Sequence, residues 1–308
     1  MTDDRDGPRF VWVDGMLLDA EARHISVFDR GFQLGDGIFE TLRAQGGRPT
    51  ELTEHLDRLR RSAAGLEIEL PVDLDSRIEG TIAALLAAEG LDGPAGDASI
   101  RITASRGAFI ARGVLPPQEG VTATLVVQAW PVVGARSTVL EAGLHLATSA
   151  IRRDPQDPLA SLKTTSRAEY VFAKLEARRA GADDALFLTI SDHLSEATSA
   201  NLFLIRRGSG DGAVEIATPS LECAILAGTT RSWLLGWARR VGLRRIEGQL
   251  TRDDLATADE AFLCSSVAGV VPVTRYDGRP IGDGTPGPWT RRARADREGM
   301  IRGEGGGT

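Results

Sequence analysis

Between residues 38 and 66 the chain changes its hydrophobic period, and that change constrains the fold more than any other feature. Residues 38–43 read as a strand ended by Gly46-Gly47, and residues 51–66 then place Leu52, Leu56, Leu59, Ala63 and Leu66 at helical spacing. Helix follows strand, so this part of the chain is expected to lay an amphipathic helix against a sheet.

The remaining periodicity extends the pattern. Residues 9–13 alternate apolar and polar, Asp14-Gly15 forms a hairpin turn, and Met16-Leu17-Leu18 follows. Residues 78–89 form an amphipathic helix stopped by Gly90, and residues 98–105 and 121–129 are β-branched strands. The stretch 130–136, with Pro131 and Gly134, breaks both periods and reads as a linker. Beyond it come a strand at 144–148, a helix at 165–179 closed by Gly181, and a hairpin of 185–190 with 200–206. A helix at 230–241 and apolar strands at 261–264 and 270–273 complete it. The prediction is an α+β chain with a small N-terminal α/β domain (1–129), a linker (130–136) and a larger domain (137–290). The charged, Gly-rich tail 291–308, with too little apolar surface to pack, is expected to be a helix end running into disorder.

At 308 residues and 42% hydrophobic composition, each domain can bury its own core. A net charge of -7 without a basic stripe argues against nucleic acid or an anionic membrane as partner, which leaves a small molecule. Cys223 and Cys264 have no metal-ligand spacing, so neither a metal site nor a disulfide framework is expected. Residues 1–8 lack an apolar signal core, and no stretch approaches eighteen uncharged apolar residues, so a cytoplasmic protein is expected.

Three runs carry chemistry. Lys163 lies in Ala160-Ser161-Leu162-Lys163-Thr164-Thr165-Ser166-Arg167; Glu196 and Asn201 lie in Ser195-Glu196-Ala197-Thr198-Ser199-Ala200-Asn201-Leu202-Phe203; and a turn follows in Leu226-Ala227-Gly228-Thr229-Thr230-Arg231. That order supplies an amine for a Schiff base, a carboxylate for a pyridinium nitrogen, and backbone donors for a phosphate.

Together with Val27-Phe28-Asp29-Arg30-Gly31-Phe32-Gln33-Leu34-Gly35-Asp36-Gly37-Ile38-Phe39-Glu40-Thr41, His55-Leu56-Asp57-Arg58-Leu59 and Ala258-Asp259-Glu260-Ala261-Phe262, these runs resemble the class IV aminotransferases. The resemblance implies the two-domain fold-type IV architecture, with a mixed β-barrel-like sheet in the larger domain, and pyridoxal 5'-phosphate as cofactor. It implies Lys163 as the Schiff-base and proton-moving residue, and Glu196 at the pyridine nitrogen. Arg58, Thr229, Thr230, Ser265 and Ser266 would hold the phosphate, Leu226 would pack on the ring, and Asn201 would touch the cofactor or shape the turn. It also implies a homodimer with sites at the subunit interface.

Along the strand, Phe39, Thr41 and Arg43 share one face, which by resemblance lines the substrate pocket, as does Val267. The loop pattern Arg106-Gly107 and Arg112-Gly113 looks like that of aminodeoxychorismate lyases and some (R)-amine transaminases, making Arg112 a candidate carboxylate binder. Branched-chain enzymes place a tyrosine five residues after the lysine; here that position is Ala168. The expected reaction is ping-pong transfer of an amino group from a branched-chain L-amino acid, a D-amino acid or an (R)-amine to a 2-oxo acid. The alternatives are an aminodeoxychorismate lyase, forming 4-aminobenzoate and pyruvate, and a catalytically silent ligand-binding homologue.

Overall fold

The computed structural model describes residues 7–110, 112–117, 119–132, 137–208 and 212–304. They fall into two compact units, one of Met1–Val132 with Leu162–Arg167, the other of Val133–Ser161 with Ala168–Thr308.

In the first unit the chain runs β1 (Phe10–Val13), β2 (Met16–Asp19), α1 (Arg30–Leu34), β3 (Gly37–Gln45), β4 (Arg48–Pro49), α2 (Leu52–Gly65), α3 (Leu74–Glu89), β5 (Asp97–Ser105) and β6 (Thr124–Pro131). The strands form one antiparallel sheet in the order β2-β1-β6-β5-β3-β4. Alternation sorts the faces of β3: Ile38, Leu42 and Ala44 join Leu56, Leu59 and Ala63 of α2 and Ile100 and Ile102 of β5 in one core. Burying each large apolar side chain there contributes about 1.5–3 kcal/mol. Phe39 and Thr41 lie on the opposite face, across from Thr103 and Arg101.

The second unit runs α4 (Ser137–Ala142), β7 (Leu144–Arg153), α5 (Ala168–Arg179), β8 (Asp184–Thr189), β9 (Leu194–Ala197), β10 (Asn201–Arg207), β11 (Val214–Pro219), a 3-10 turn (Leu221–Cys223), α6 (Thr229–Arg240), β12 (Arg244–Gly248), α7 (Arg252–Ala256), β13 (Glu260–Ser265), β14 (Gly269–Tyr276), β15 (Arg279–Pro280) and α8 (Pro288–Ile301). Its nine-stranded sheet has the order β12-β11-β10-β13-β14-β7-β8-β9, with β15 beside β14. The sheet is mixed: β11/β12, β14/β7 and β7/β8 are parallel. Its two ends are brought together where Leu194 N–H donates to Leu250 O at 2.7 Å, just past β12, so the sheet curls.

Three expectations need correction. The predicted hairpin of 185–190 with 200–206 does not form, because β8 turns at Asp192, which adopts φ 61°, and pairs instead with β9. β10 pairs with β11 and β13. The reason is that Leu194–Ala197 is a buried strand rather than a loop. The helix predicted at 165–179 begins at Ala168, since Thr165 gives its backbone N–H to Gly37 O and its hydroxyl to Gly35 O.

In the tail, where a helix end with too little apolar surface to pack is expected, residues 288–301 form a helix that does pack, burying Thr290, Ala293, Arg297 and Ile301 along one stripe. Its few apolar groups are supplemented by the Glu260 carboxylate, which accepts from Trp289 N–H, Thr290 N–H and Thr290 Oγ1. Of the stretch predicted as a linker, Trp130 and Pro131 belong to β6, Val132 follows it, and residues 133–136 lie outside the described residues, as do 305–308 of the tail. Among the described residues no helix is long and apolar enough to cross a membrane.

Candidate active site

Lys163 is held as an added strand residue. Its N–H donates to Ser62 Oγ at 3.1 Å, its carbonyl accepts from Phe39 N–H at 3.0 Å, and Thr164 bridges to Ile38. The preceding Leu162 lies so close to the end of α2 that a Cβ on Gly65 would stand 2.7 Å from its Cδ1. With its backbone fixed on both sides, the lysine side chain reaches the outer face of β3. There Nζ lies 4.8 Å from the Phe39 ring centroid.

Two more cations share that ring. The Arg101 guanidinium stacks 3.8 Å from the centroid and Arg167 stands at 5.7 Å. Burial, then the charge of Arg167, push the Arg101 pKa below its ordinary value. Arg101 donates to Thr103 Oγ1 at 3.2 Å, and no carboxylate among the described residues pairs with it. Cations concentrated around an aromatic wall favour an incoming carboxylate. Motif reading misses Arg101. The signal lies in the alternation of β5, where Arg101 and Thr103 stand opposite Thr41 and Phe39.

Behind β3, Glu40 is fully buried and joins two side chains of α2. Arg58 donates Nε to Oε1 and Nη2 to Oε2, each at 2.7 Å, and His55 Nδ1 lies 2.7 Å from Oε2. Burial alone would raise the Glu40 pKa, but the bonds and charges of Arg58 and His55 outweigh it and lower the value from 4.5 to about 2. Arg58 thus sits against a counter-ion that stays ionised.

Two other pocket candidates lie elsewhere on the strand and loop. Arg43 forms a two-point pair with Asp97, at 2.7 and 2.6 Å, four strand residues or about 13 Å along β3 from Phe39. Arg112 is exposed on the loop after β5.

In the second unit, β9 places Glu196 where Oε2 accepts from Asn201 Nδ2 and from Leu226 N–H, each at 3.0 Å. The same Asn201 amide donates to Leu226 O at 3.0 Å. Gly228 is required beside it, because a Cβ there would lie 2.1 Å from Asn201 Oδ1. Gly228 is also the N-cap of α6, whose first residues are Thr229 and Thr230 and whose first turn holds no acidic side chain. Thr229 Oγ1 meets Ser266 Oγ at 3.1 Å, which ties that turn to the β13–β14 connection carrying Ser266 and Val267, just after Ser265 at the end of β13. Arg153, buried nearby, interacts with Glu196; burial opposes its charge, but Tyr170, Glu169 and Glu196 together raise its pKa.

These groups suit pyridoxal phosphate. A helix start that presents amides and hydroxyls and has no acidic side chain in its first turn favours an anion, and a buried carboxylate held by Asn201 and the Leu226 N–H suits a protonated ring nitrogen.

Comparison with known proteins agrees. The family described as Amino-transferase class IV matches residues 37–276. The branched-chain-amino-acid aminotransferase of Pseudomonas aeruginosa is 30% identical over 299 residues, covering 94% of this chain and 91% of that one. The D-alanine aminotransferase of Bacillus licheniformis is 29% identical over 300 residues, covering 96% and 98%. Among solved structures, the T.th. branched-chain amino acid aminotransferase with pyridoxamine 5'-phosphate has a TM-score of 0.87 at 30% identity, covering 97% of this chain and 96% of that one. The chain belongs to the class IV aminotransferases, and pyridoxal phosphate is its cofactor.

Proposed function

We propose that the protein is a transaminase moving an amino group from a carboxylate-bearing amino acid to a 2-oxo acid, in two half-reactions at one site. The observation that carries this reading is the set of Arg101, Arg167 and Lys163 around Phe39. Bound pyridoxal phosphate supplies the carbonyl that accepts the amine and a ring that accepts electrons. Lys163 would hold the cofactor through its Nζ and, with that amine released, would move the proton at the substrate α-carbon. Glu196 keeps the ring nitrogen protonated, while Asn201 and the Leu226 N–H hold the carboxylate in place. Arg58, the amides of Thr229 and Thr230, and the Ser265 and Ser266 hydroxyls hold the phosphate. Leu226 packs on the ring.

Arg101 receives the substrate carboxylate and the Phe39 ring its apolar side. This favours amino acids over simple amines, and the aminotransferases named above favour transamination over a lyase reaction. A second copy of the chain covers the apolar segment that exposes Val27 (63%), Phe28, Phe32 (73%) and Leu34. Cys223 and Cys264, both buried and neither in a disulfide, suit the reducing cytoplasm.

The test is a panel of donors with a 2-oxo acid acceptor: L-leucine, D-alanine, (R)-1-phenylethylamine and aminodeoxychorismate. Turnover of an amino acid well ahead of phenylethylamine supports the reading. Reaction of aminodeoxychorismate alone overturns it.

A further inference from the structure

Arg297 is fully buried, in the helix that closes the chain. On the inward stripe of α8 its companions are Thr290, Ala293 and Ile301, positions that ordinarily take uncharged side chains. Its guanidinium lies 5.2 Å from the Trp233 ring centroid and donates Nη2 to Thr230 Oγ1 at 3.3 Å. Trp233 and Thr230 both belong to α6, Thr230 to its first turn. In the same unit, Asp296 accepts from Trp237 Nε1 at 2.7 Å, and Glu260 caps α8 itself.

The charge arrangement is unusual. The start of a helix already carries a partial positive charge, and α6 has no acidic residue in its first turn to offset it. The Arg297 guanidinium, buried against that same turn, brings positive charge to it. An anion at the helix start draws on both together. The bond also fixes the hydroxyl of Thr230: with its oxygen accepting from Arg297, the Thr230 O–H is left to donate outward.

We propose that Arg297 is a positioning residue for the cofactor phosphate, orienting Thr230 and supplying charge from behind the first turn of α6. This rests on the reading that the start of α6 holds that phosphate. Arg297 works through Thr230 and the local field rather than by touching substrate.

The test compares binding of pyridoxal phosphate with that of pyridoxal, which lacks the phosphate, by absorbance titration of the protein freed of cofactor. Wild type should bind the phosphorylated form far more tightly. In Arg297→Met that preference should fall about tenfold or more, with pyridoxal affinity unchanged, and Arg297→Lys should recover part of it. Thr230→Val keeps the arginine and removes its acceptor, and should lower the same preference in a chain with an unaltered α8. Inorganic phosphate should raise the melting temperature of the cofactor-free wild type more than that of Arg297→Met.

Equal weakening of both ligands in Arg297→Met, or an unchanged preference in both variants, overturns the role of Arg297 and leaves the phosphate site standing. If wild type itself shows no preference for the phosphorylated form, the phosphate-site reading fails first.

Discussion

Glu40 grips Arg58 through two parallel 2.7 Å bonds, Nε to Oε1 and Nη2 to Oε2, with its carboxylate wholly shielded from solvent. The folded carboxyl titrates at about 2 against an ordinary 4.5, so between those values the native state holds fewer protons than the unfolded chain. The stability contributed is complete above about pH 4.5 and drains away as the pH falls toward 2. Glu40→Gln should lose that part of the acid sensitivity and, at pH 7, about 3 kcal/mol of stability, because Arg58 stays buried without its counter-ion. Urea denaturation at a series of pH values checks both, and an unchanged acid limb counts against the pairing.

Asn201 acts on Glu196 by orientation. Asn201→Ala removes one of the two donors at Oε2 while the Leu226 N–H remains. We expect kcat to fall about tenfold with little change in KM, consistent with loss of one charge-assisted bond, and a shift in the visible absorbance of the bound cofactor. Glu196→Gln removes the charge itself, and kcat should drop by about a hundredfold or more. Equal kinetics for the two variants would rule out an orienting role for Asn201.

Arg101 should decide between substrates. Arg101→Met keeps the length of the side chain but not its charge, so kcat/KM for amino acids should fall by about ten- to a hundredfold. Turnover of (R)-1-phenylethylamine, which has no carboxylate, should be little altered. A parallel loss for both donors would assign Arg101 to packing against Phe39 rather than to recognition.

The cap on α8 is a stability prediction. Glu260→Ala removes the acceptor of Trp289 N–H, Thr290 N–H and the Thr290 hydroxyl, and should cost about 1–2 kcal/mol by thermal or urea unfolding. An unchanged midpoint would show that packing of the stripe alone holds this helix.

How much of the fold and site is legible in the chain follows from the range of each interaction. The α2 stripe and the β3 strand are local periodicities, and they read directly from Leu52 to Ala63 and from Ile38 to Arg43. Motif order names Lys163, Glu196, Asn201 and Thr229, because chemistry fixes the kinds of residue needed and their succession. β9 escapes because four residues are too few to show a period, and its partner is set by the turn at Asp192. α8 escapes because polar groups do apolar work: a glutamate caps it and an arginine fills its buried stripe. Arg101 escapes for another reason, since its meaning lies in the register between β3 and β5, two strands separated by two helices in the chain.

Every role proposed for the site depends on Lys163 carrying the cofactor. Borohydride reduction of the yellow holoprotein, followed by mass-spectrometric mapping of the modified peptide, should find a pyridoxyl group on Lys163 alone. Lys163→Ala should lose the visible absorbance, the label and transaminase activity together. A label on Lys174, or full labelling of the Lys163→Ala variant, would contradict it.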